Sequence, residues 1–233
     1  MTVLLALDDT DMPGTPGTGR LARGIAAAIA ARYPVAGVTR HQLLVDPAIP
    51  YTSHNSSAVL HVGAEADAID ELAGLARELV LDSYAEGADP GLAVVDANAV
   101  PPAVVAFGQD AKRCVLAQEQ ALDLARNAGL LLEPLGGTGG GVIGALAGIG
   151  LASTGCDGRY LELGSIRALG GETTVEAALA AGVAEIVTPD GRAVTAGRLV
   201  CDHGKGPKPA VVLGRPVLFV EACADGWRAL RRD

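Results

Sequence analysis

The chain is poor in aromatic residues. Phe, Trp and Tyr make up only 3% of its 233 residues, with a single Trp and two Phe, so any core must be built from Ala, Val, Leu and Ile. The four cysteines, Cys114, Cys156, Cys201 and Cys223, form no CxxC pair, which excludes the common zinc spacings. They read as small buried hydrophobes in a reducing cytosol. Net positive charge is also lacking: the balance is −9, so nucleic-acid binding by phosphate neutralisation is not expected of the chain on its own. No basic segment precedes the first apolar run, which argues against a signal peptide. The apolar stretch 139–152 is too short and too Gly-rich to span a bilayer, so no membrane association is expected and the location read from the sequence is cytoplasmic.

What is present is a hydrophobic chain (49%) punctuated by 31 glycines. Residues 2–7 read as a buried strand and end in Asp8-Asp9-Thr10-Asp11, three carboxylates within four residues. A Pro/Gly loop follows at 12–19, then a helical pattern over 20–33 stopped by Pro34. Strands are expected at 35–45, 58–63 and 92–95, with an amphipathic helix at 67–81. Residues 101–107 read as a short strand or a helix start, and 112–128 as a helix closed by Gly129. Gly136-Gly137-Thr138-Gly139-Gly140-Gly141 opens a further helix. A boundary at 155–158 leads into a tail with short strands at 159–164, 184–188, 193–201, 210–213 and 217–221 and a helix at 174–181. The fold class expected is α/β: a central mixed sheet with flanking helices, and a smaller β-rich C-terminal part. The domains are 1–158, with a ferredoxin-like portion around 58–130, and 159–233.

Three constellations carry chemistry. An acidic strand end suits Mg²⁺, which takes oxygen ligands and usually only one or two carboxylates besides substrate phosphates. Asp8, Asp9 and Asp11 are the candidates, and the alternative is a solvated turn. The glycine run could direct backbone N–H groups at an anion from a helix N-terminus. It matches neither a Walker A nor a dinucleotide fingerprint, and the alternative is a helix start packed tightly on a sheet. The polar stretch Thr52-Ser53-His54-Asn55-Ser56 offers hydrogen-bonding groups, with His54 as a candidate base or phosphate ligand, against an ordinary exposed loop. Thr15, Thr18, Arg20, Arg23 and Arg40 are further candidate phosphate contacts, and the locally basic loop 202–209 could close over an anion.

Five segments in order resemble the N-terminal half of the archaeal tRNA-isoleucine agmatinylcytidine synthetase (TiaS) family. Leu7–Asp11 is similar to its G-I-D-D-T-D-S start. Gly17-Thr18-Gly19-Arg20-Leu21-Ala22 is similar to C-T-T-Y-L-A. Residues 47–59 resemble N-P-x-I-P-x-K-T-R-G-N-G-A-V, and Asp89-Pro90-Gly91-Leu92 resembles N-P-G-V/L. Residues 139–150 resemble G-R-G-V-I-G-A-L-A-A-I-G. The resemblance covers about residues 1–155 and implies a kinase-type domain using ATP and Mg²⁺. By it, Asp8, Asp9 and Asp11 would hold the metal and Thr18 would match a threonine that becomes phosphorylated. Thr10, Gly137, Thr138, Gly139, Gly140, Gly141, His54 and Asn55 would contact nucleotide. Two departures shift the expected substrate. The cationic residues of the family's K-T-R-G-N-G are replaced at 52–57, and the Arg of its glycine loop is Gly140 here. The chain also has no CxxC for a zinc ribbon. The expectation is therefore phosphoryl transfer to, or activation of, a small molecule, with self-association left open. The alternatives are a nucleotide-binding module without turnover, or a tRNA-modifying component that needs a separate RNA-binding partner.

Overall fold

The computed structural model describes residues 1–52, 54–201 and 206–232, which form two compact units, 1–154 and 155–233. Ser53 and residues 202–205 of the basic tail loop lie outside the described residues. The α/β class with flanking helices is the architecture observed.

The first unit begins with β1 (Val3–Asp8), α1 (Thr18–Ile29), β2 (Val35–Gln42), β3 (Ser56–Val62), α2 (Ile69–Ser83) and β4 (Gly91–Asp96). Its strands lie in the order β4-β1-β3-β2, every ladder antiparallel. This is a split βαβ arrangement. It runs over residues 3–96, so that only its second half, β3 to β4, falls within the 58–130 stretch in which one was expected. Then come α3 (Pro102–Asp110), α4 (Gln118–Ala128), β5 (Leu131–Pro134) and α5 (Val142–Ser153), with β5 extending the sheet beside β4. The stretch 101–107 is thus helical, and the helix expected over 112–128 begins only at Gln118. β5 has no expected counterpart, since its four residues end on a proline and carry no alternation.

β1 is a continuous apolar run because both its faces are covered. Leu4 and Ala6 join a core with Val104, Phe107, Ala121, Ala145 and Ile149 of α3, α4 and α5, while α1 and α2 pack on the opposite side of the sheet. α5 is apolar all round and buried over nearly its whole length, as a central helix must be. It fits against the sheet by means of missing side chains. A Cβ on Gly141 would lie 2.6 Å from Gly91 N, and one on Gly148 would lie 2.3 Å from Ser57 Oγ. The glycine-rich segment is therefore, at minimum, a close-packing device.

The second unit contains β6 (Arg159–Glu162), β7 (Glu172–Thr174), α6 (Val175–Ala180), β8 (Glu185–Val187), β9 (Arg198–Val200), β10 (Ala210–Val212), β11 (Arg215–Cys223) and β12 (Gly226–Ala229). Its strands follow the order β6-β10-β11-β12-β9-β7, with β8 parallel to β11 and β9 parallel to β12. Thr174 caps α6 by accepting the Ala177 N–H at 3.1 Å. Its own core gathers Tyr160, Ile166, Val175, Leu199, Val211, Leu218 and Val220. The cysteines correct the expectation of uniform burial: Cys201 is buried and Cys223 half-buried, but Cys114 and Cys156 are exposed. Among the described residues no helix is long and apolar enough to cross a membrane.

Candidate functional site at the end of strand β1

The acidic run sits where β1 leaves the sheet. Asp8 is its last residue and pairs with Gly91, the first residue of β4. Asp8 Oδ1 accepts the Asp9 N–H at 2.9 Å. Its other oxygen points at α5, where a Cβ on Gly144 would lie 1.5 Å from Asp8 Oδ2. Burial pushes the Asp8 carboxyl well above the ordinary carboxylate range, with smaller contributions from the charges of Asp9 and Asp11. Asp9 turns the chain with φ at 51°, a left-handed conformation that Asp tolerates better than most residues. Its carboxyl is pushed up to about 6, chiefly by burial and then by the charges of Asp89 and Asp11.

Asp11 has a different task. Its Oδ1 accepts both the Thr18 N–H at 3.0 Å and the Thr18 hydroxyl at 2.8 Å, while its Oδ2 accepts the Thr52 hydroxyl at 2.8 Å. It satisfies the first turn of α1, whose N-cap residue, Gly17, has no side chain to do so. Thr18 is buried and saturated. Besides donating to Asp11, its Oγ1 accepts the Thr10 N–H at 3.3 Å and the Thr10 hydroxyl at 3.1 Å. Thr10, also buried, thereby supports Thr18.

The glycine-rich loop reaches the same neighbourhood through Asp89. That carboxylate accepts the Thr138 N–H and, at 2.8 Å, the Thr138 hydroxyl. The Asp89 carbonyl accepts the Gly141 N–H at 2.9 Å, and Gly139 N–H donates to Gly136 O at 3.0 Å. Gly137 has φ at 56°, and a Cβ on it would lie 1.8 Å from Asp89 Oδ1, so two separate constraints demand glycine there. Gly140 lies in the same turn, its carbonyl accepting the Ile143 N–H at 3.1 Å.

The structure therefore brings Asp8, Asp9, Asp11, Thr10 and Thr18 together and joins the loop 137–141 to them through Asp89. Other candidates are employed elsewhere. Asn55 Nδ2 donates to Leu44 O at 2.7 Å and its backbone carbonyl accepts the Leu43 N–H, so this residue fastens the segment entering β3 to the end of β2. His54 and Arg20 are exposed. Arg23 donates to Gly19 O and Arg40 to Gln42 Oε1, both at 2.8 Å. Thr15 closes a turn with Met12. Ser56 and Ser57, read as loop, belong to β3. Sequence reasoning did not single out Asp89 and Gly144 as members of the site, and of the polar stretch it offered, Thr52 is the residue that reaches Asp11. The cue for Asp89 was an acid directly before Pro-Gly, a turn signal that does not reveal which loop it will face.

The donor set is all oxygen and suits a hard cation. Among the described residues, no three or more His, Cys, Asp or Glu side chains are assembled closely enough to hold a metal by themselves. With Asp11 committed to Thr18 and Thr52, a cation here would rest on Asp8 and Asp9, with other oxygens completing its shell.

No protein-family model matches the chain, and no curated protein matches it. Solved structures do. A tRNA fluorescent labeling enzyme is 29% identical with a TM-score of 0.57, the match covering 64% of this chain and 36% of that one. TiaS in complex with an isoleucine tRNA and ATP is 28% identical with a TM-score of 0.57, over 64% of this chain and 36% of that one. Apo TiaS, a tRNA agmatidine synthetase, is 26% identical with a TM-score of 0.55, over 64% and 35%. The chain thus contains a TiaS-like domain. It spans about a third of the length of the proteins it matches.

Proposed function

We propose that residues 1–158 form a nucleotide-binding domain that uses ATP with Mg²⁺ to phosphorylate or activate an acceptor. The observation that carries this reading is the convergence of two helix N-termini, those of α1 and α5, on the carboxylates at the end of β1. Helix N-termini attract anions, and Asp11 already answers that of α1. The carboxylates of Asp8, Asp9, Asp11 and Asp89 nevertheless oppose one another's charge. A cation would relieve that repulsion, and a cation between carboxylates and phosphates is what phosphoryl transfer employs. Magnesium, bound there, would supply charge neutralisation. The solved TiaS complex that contains ATP supports the choice of nucleotide.

Within this reading Asp8 and Asp9 hold the cation, and the amide-rich turn 137–141 faces the phosphates. Thr18 would serve as an acceptor only after its oxygen gives up the N–H and hydroxyl of Thr10 that it now accepts; its own hydroxyl donates to Asp11 Oδ1 at 2.8 Å, and a carboxylate so placed can take a proton from an attacking oxygen. The replaced cations at 52–57 and at Gly140 favour a small-molecule acceptor. A second reading, a tRNA-modifying component acting with an RNA-binding partner, is favoured by the similarity to tRNA-acting enzymes. The test is release of ADP or AMP from Mg·ATP, with Asp8→Asn as control and with tRNA present or absent. Turnover that the substitution abolishes is expected. Turnover only with tRNA selects the second reading, and no release under any condition rejects both.

A further inference from the structure

The outward donors of the glycine-rich loop already hold an anion, and it belongs to the protein. Thr138 is exposed, yet both its N–H and its hydroxyl point at the Asp89 carboxylate. Gly137 is pressed against the same group so closely that no side chain would fit. On its other side, Asp89 donates its backbone N–H to the Asp9 carboxylate, and the two negative charges are near enough for each to oppose the other.

A carboxylate and a phosphate oxygen make the same demand on an N–H and O–H pair. Two such anions cannot share one pair of donors, and a third negative charge beside Asp9 and Asp89 would be repelled. We propose that Asp89 occupies the phosphate seat of the glycine-rich loop and thereby makes nucleotide binding at this site conditional on a divalent cation. This rests on the reading of the β1 end as a nucleotide site. A cation offers the Asp89 carboxylate a second partner beside Asp9. Thr138 then passes from the carboxylate to the phosphate, and without the cation the seat stays filled. Asp89 is on this account a specificity-determining residue that admits metal–nucleotide complexes and rejects bare anions.

Asp89→Asn isolates the charge. The amide oxygen still accepts the Thr138 N–H and the amide nitrogen donates to the Thr138 hydroxyl, so the turn keeps both contacts. Equilibrium dialysis of radiolabelled ATP against the full chain, in EDTA and in excess magnesium chloride, reads the effect. A like charge a few ångströms away is worth roughly an order of magnitude in affinity. Magnesium-free ATP should therefore bind the variant about tenfold more tightly than the wild type, and the magnesium stimulation should shrink correspondingly. If both chains bind Mg·ATP and show the same magnesium dependence, Asp89 is only a loop fastener and the proposal is overturned. If neither binds ATP with magnesium, the nucleotide reading itself has failed and this inference falls with it.

Discussion

Gly144→Ala is the sharpest structural perturbation of the site. The added methyl carbon would lie 1.5 Å from Asp8 Oδ2, 2.5 Å from its Cγ and 3.0 Å from its Cβ. Ordinary contact requires more than about 3 Å, so either the carboxylate swings away or α5 lifts from the sheet by about 1.5 Å or more. Overpacking of this kind costs about 1–3 kcal/mol. It is offset by the roughly 1 kcal/mol that Ala gains over Gly inside a helix. The net loss of stability should be small, about 0–2 kcal/mol. The functional loss should not be small, because a misplacement of about 1 Å at a reacting centre costs on the order of 10²-fold. Gly74→Ala is the matched control. It makes the same chemical change inside α2, where a Cβ would meet nothing within 4 Å. It should stabilise by up to about 1 kcal/mol and leave ligand binding unchanged. Thermal melts and Mg·ATP titrations of the two variants side by side test this. Equal melting and equal binding for Gly144→Ala and Gly74→Ala would refute the argument that α5 is notched to seat Asp8.

Three further outcomes follow from the charges and caps. The folded-state pKa of Asp9, about 6, lies above its ordinary value of 3.8, so the folded protein holds the extra proton. Stability contributed by that proton is present at low pH and lost as pH rises through about 4 to 6. In metal-free buffer at pH 7, Asp9→Asn should therefore raise stability by about 1–2 kcal/mol after allowance for solvent screening, a gain that vanishes near pH 4. His61 runs the other way. Burial and the neighbouring His41 hold it down at about 4, with Thr39 Oγ1 lying 2.8 Å from His41 Nε2 and 2.9 Å from His61 Nε2. The unfolded chain takes the proton first, so stability should fall by about 2 kcal/mol from pH 6.5 to 4, and His61→Gln should flatten that limb of a pH–denaturation profile. Asp11→Ala strips the first turn of α1 of its acceptor and frees Thr18 and Thr52. A loss of about 1–2 kcal/mol in urea denaturation is expected, with an unchanged midpoint refuting the capping role.

The sequence announces those features that depend on local pattern. The apolar run of β1, the helix over residues 67–81 and the stop at Gly129, which adopts φ 66°, are legible because period, caps and turn residues agree. The clustering of Asp8, Asp9 and Asp11 is legible for the same reason. What escapes is whatever only the fold assembles. Asp89 lies 49 residues from its partner Thr138, and Thr52 lies 41 residues from Asp11. Nothing in either local stretch marks the other. The glycines mislead in an instructive way. Gly141, read with Gly136 to Gly140 as a phosphate cradle, is in the fold pressed against Gly91, and Gly144 and Gly148 beyond it are gaps in α5 that receive Asp8 and Ser57. Close approach of backbones and freedom to bind an anion demand the same residue, and only packing distinguishes them. Asn55 misleads for a related reason: a polar side chain beside a candidate site serves the backbone instead.

Whether the acidic end of β1 seats a metal–nucleotide complex or only fastens the turn into α1 is tested most directly by isothermal titration of ATP with Mg²⁺ into the wild-type chain and into Asp8→Asn. Burial holds the Asp8 carboxyl well above its ordinary pKa, so neutralising it should not unfold the protein, and any loss of binding reports on the site itself. Saturable binding of Mg·ATP with Kd below about 1 mM is expected in the wild type, and at least about tenfold weaker binding in the variant. Absence of binding by the wild type at millimolar nucleotide, or equal affinity in the two chains, would contradict the metal–nucleotide seat.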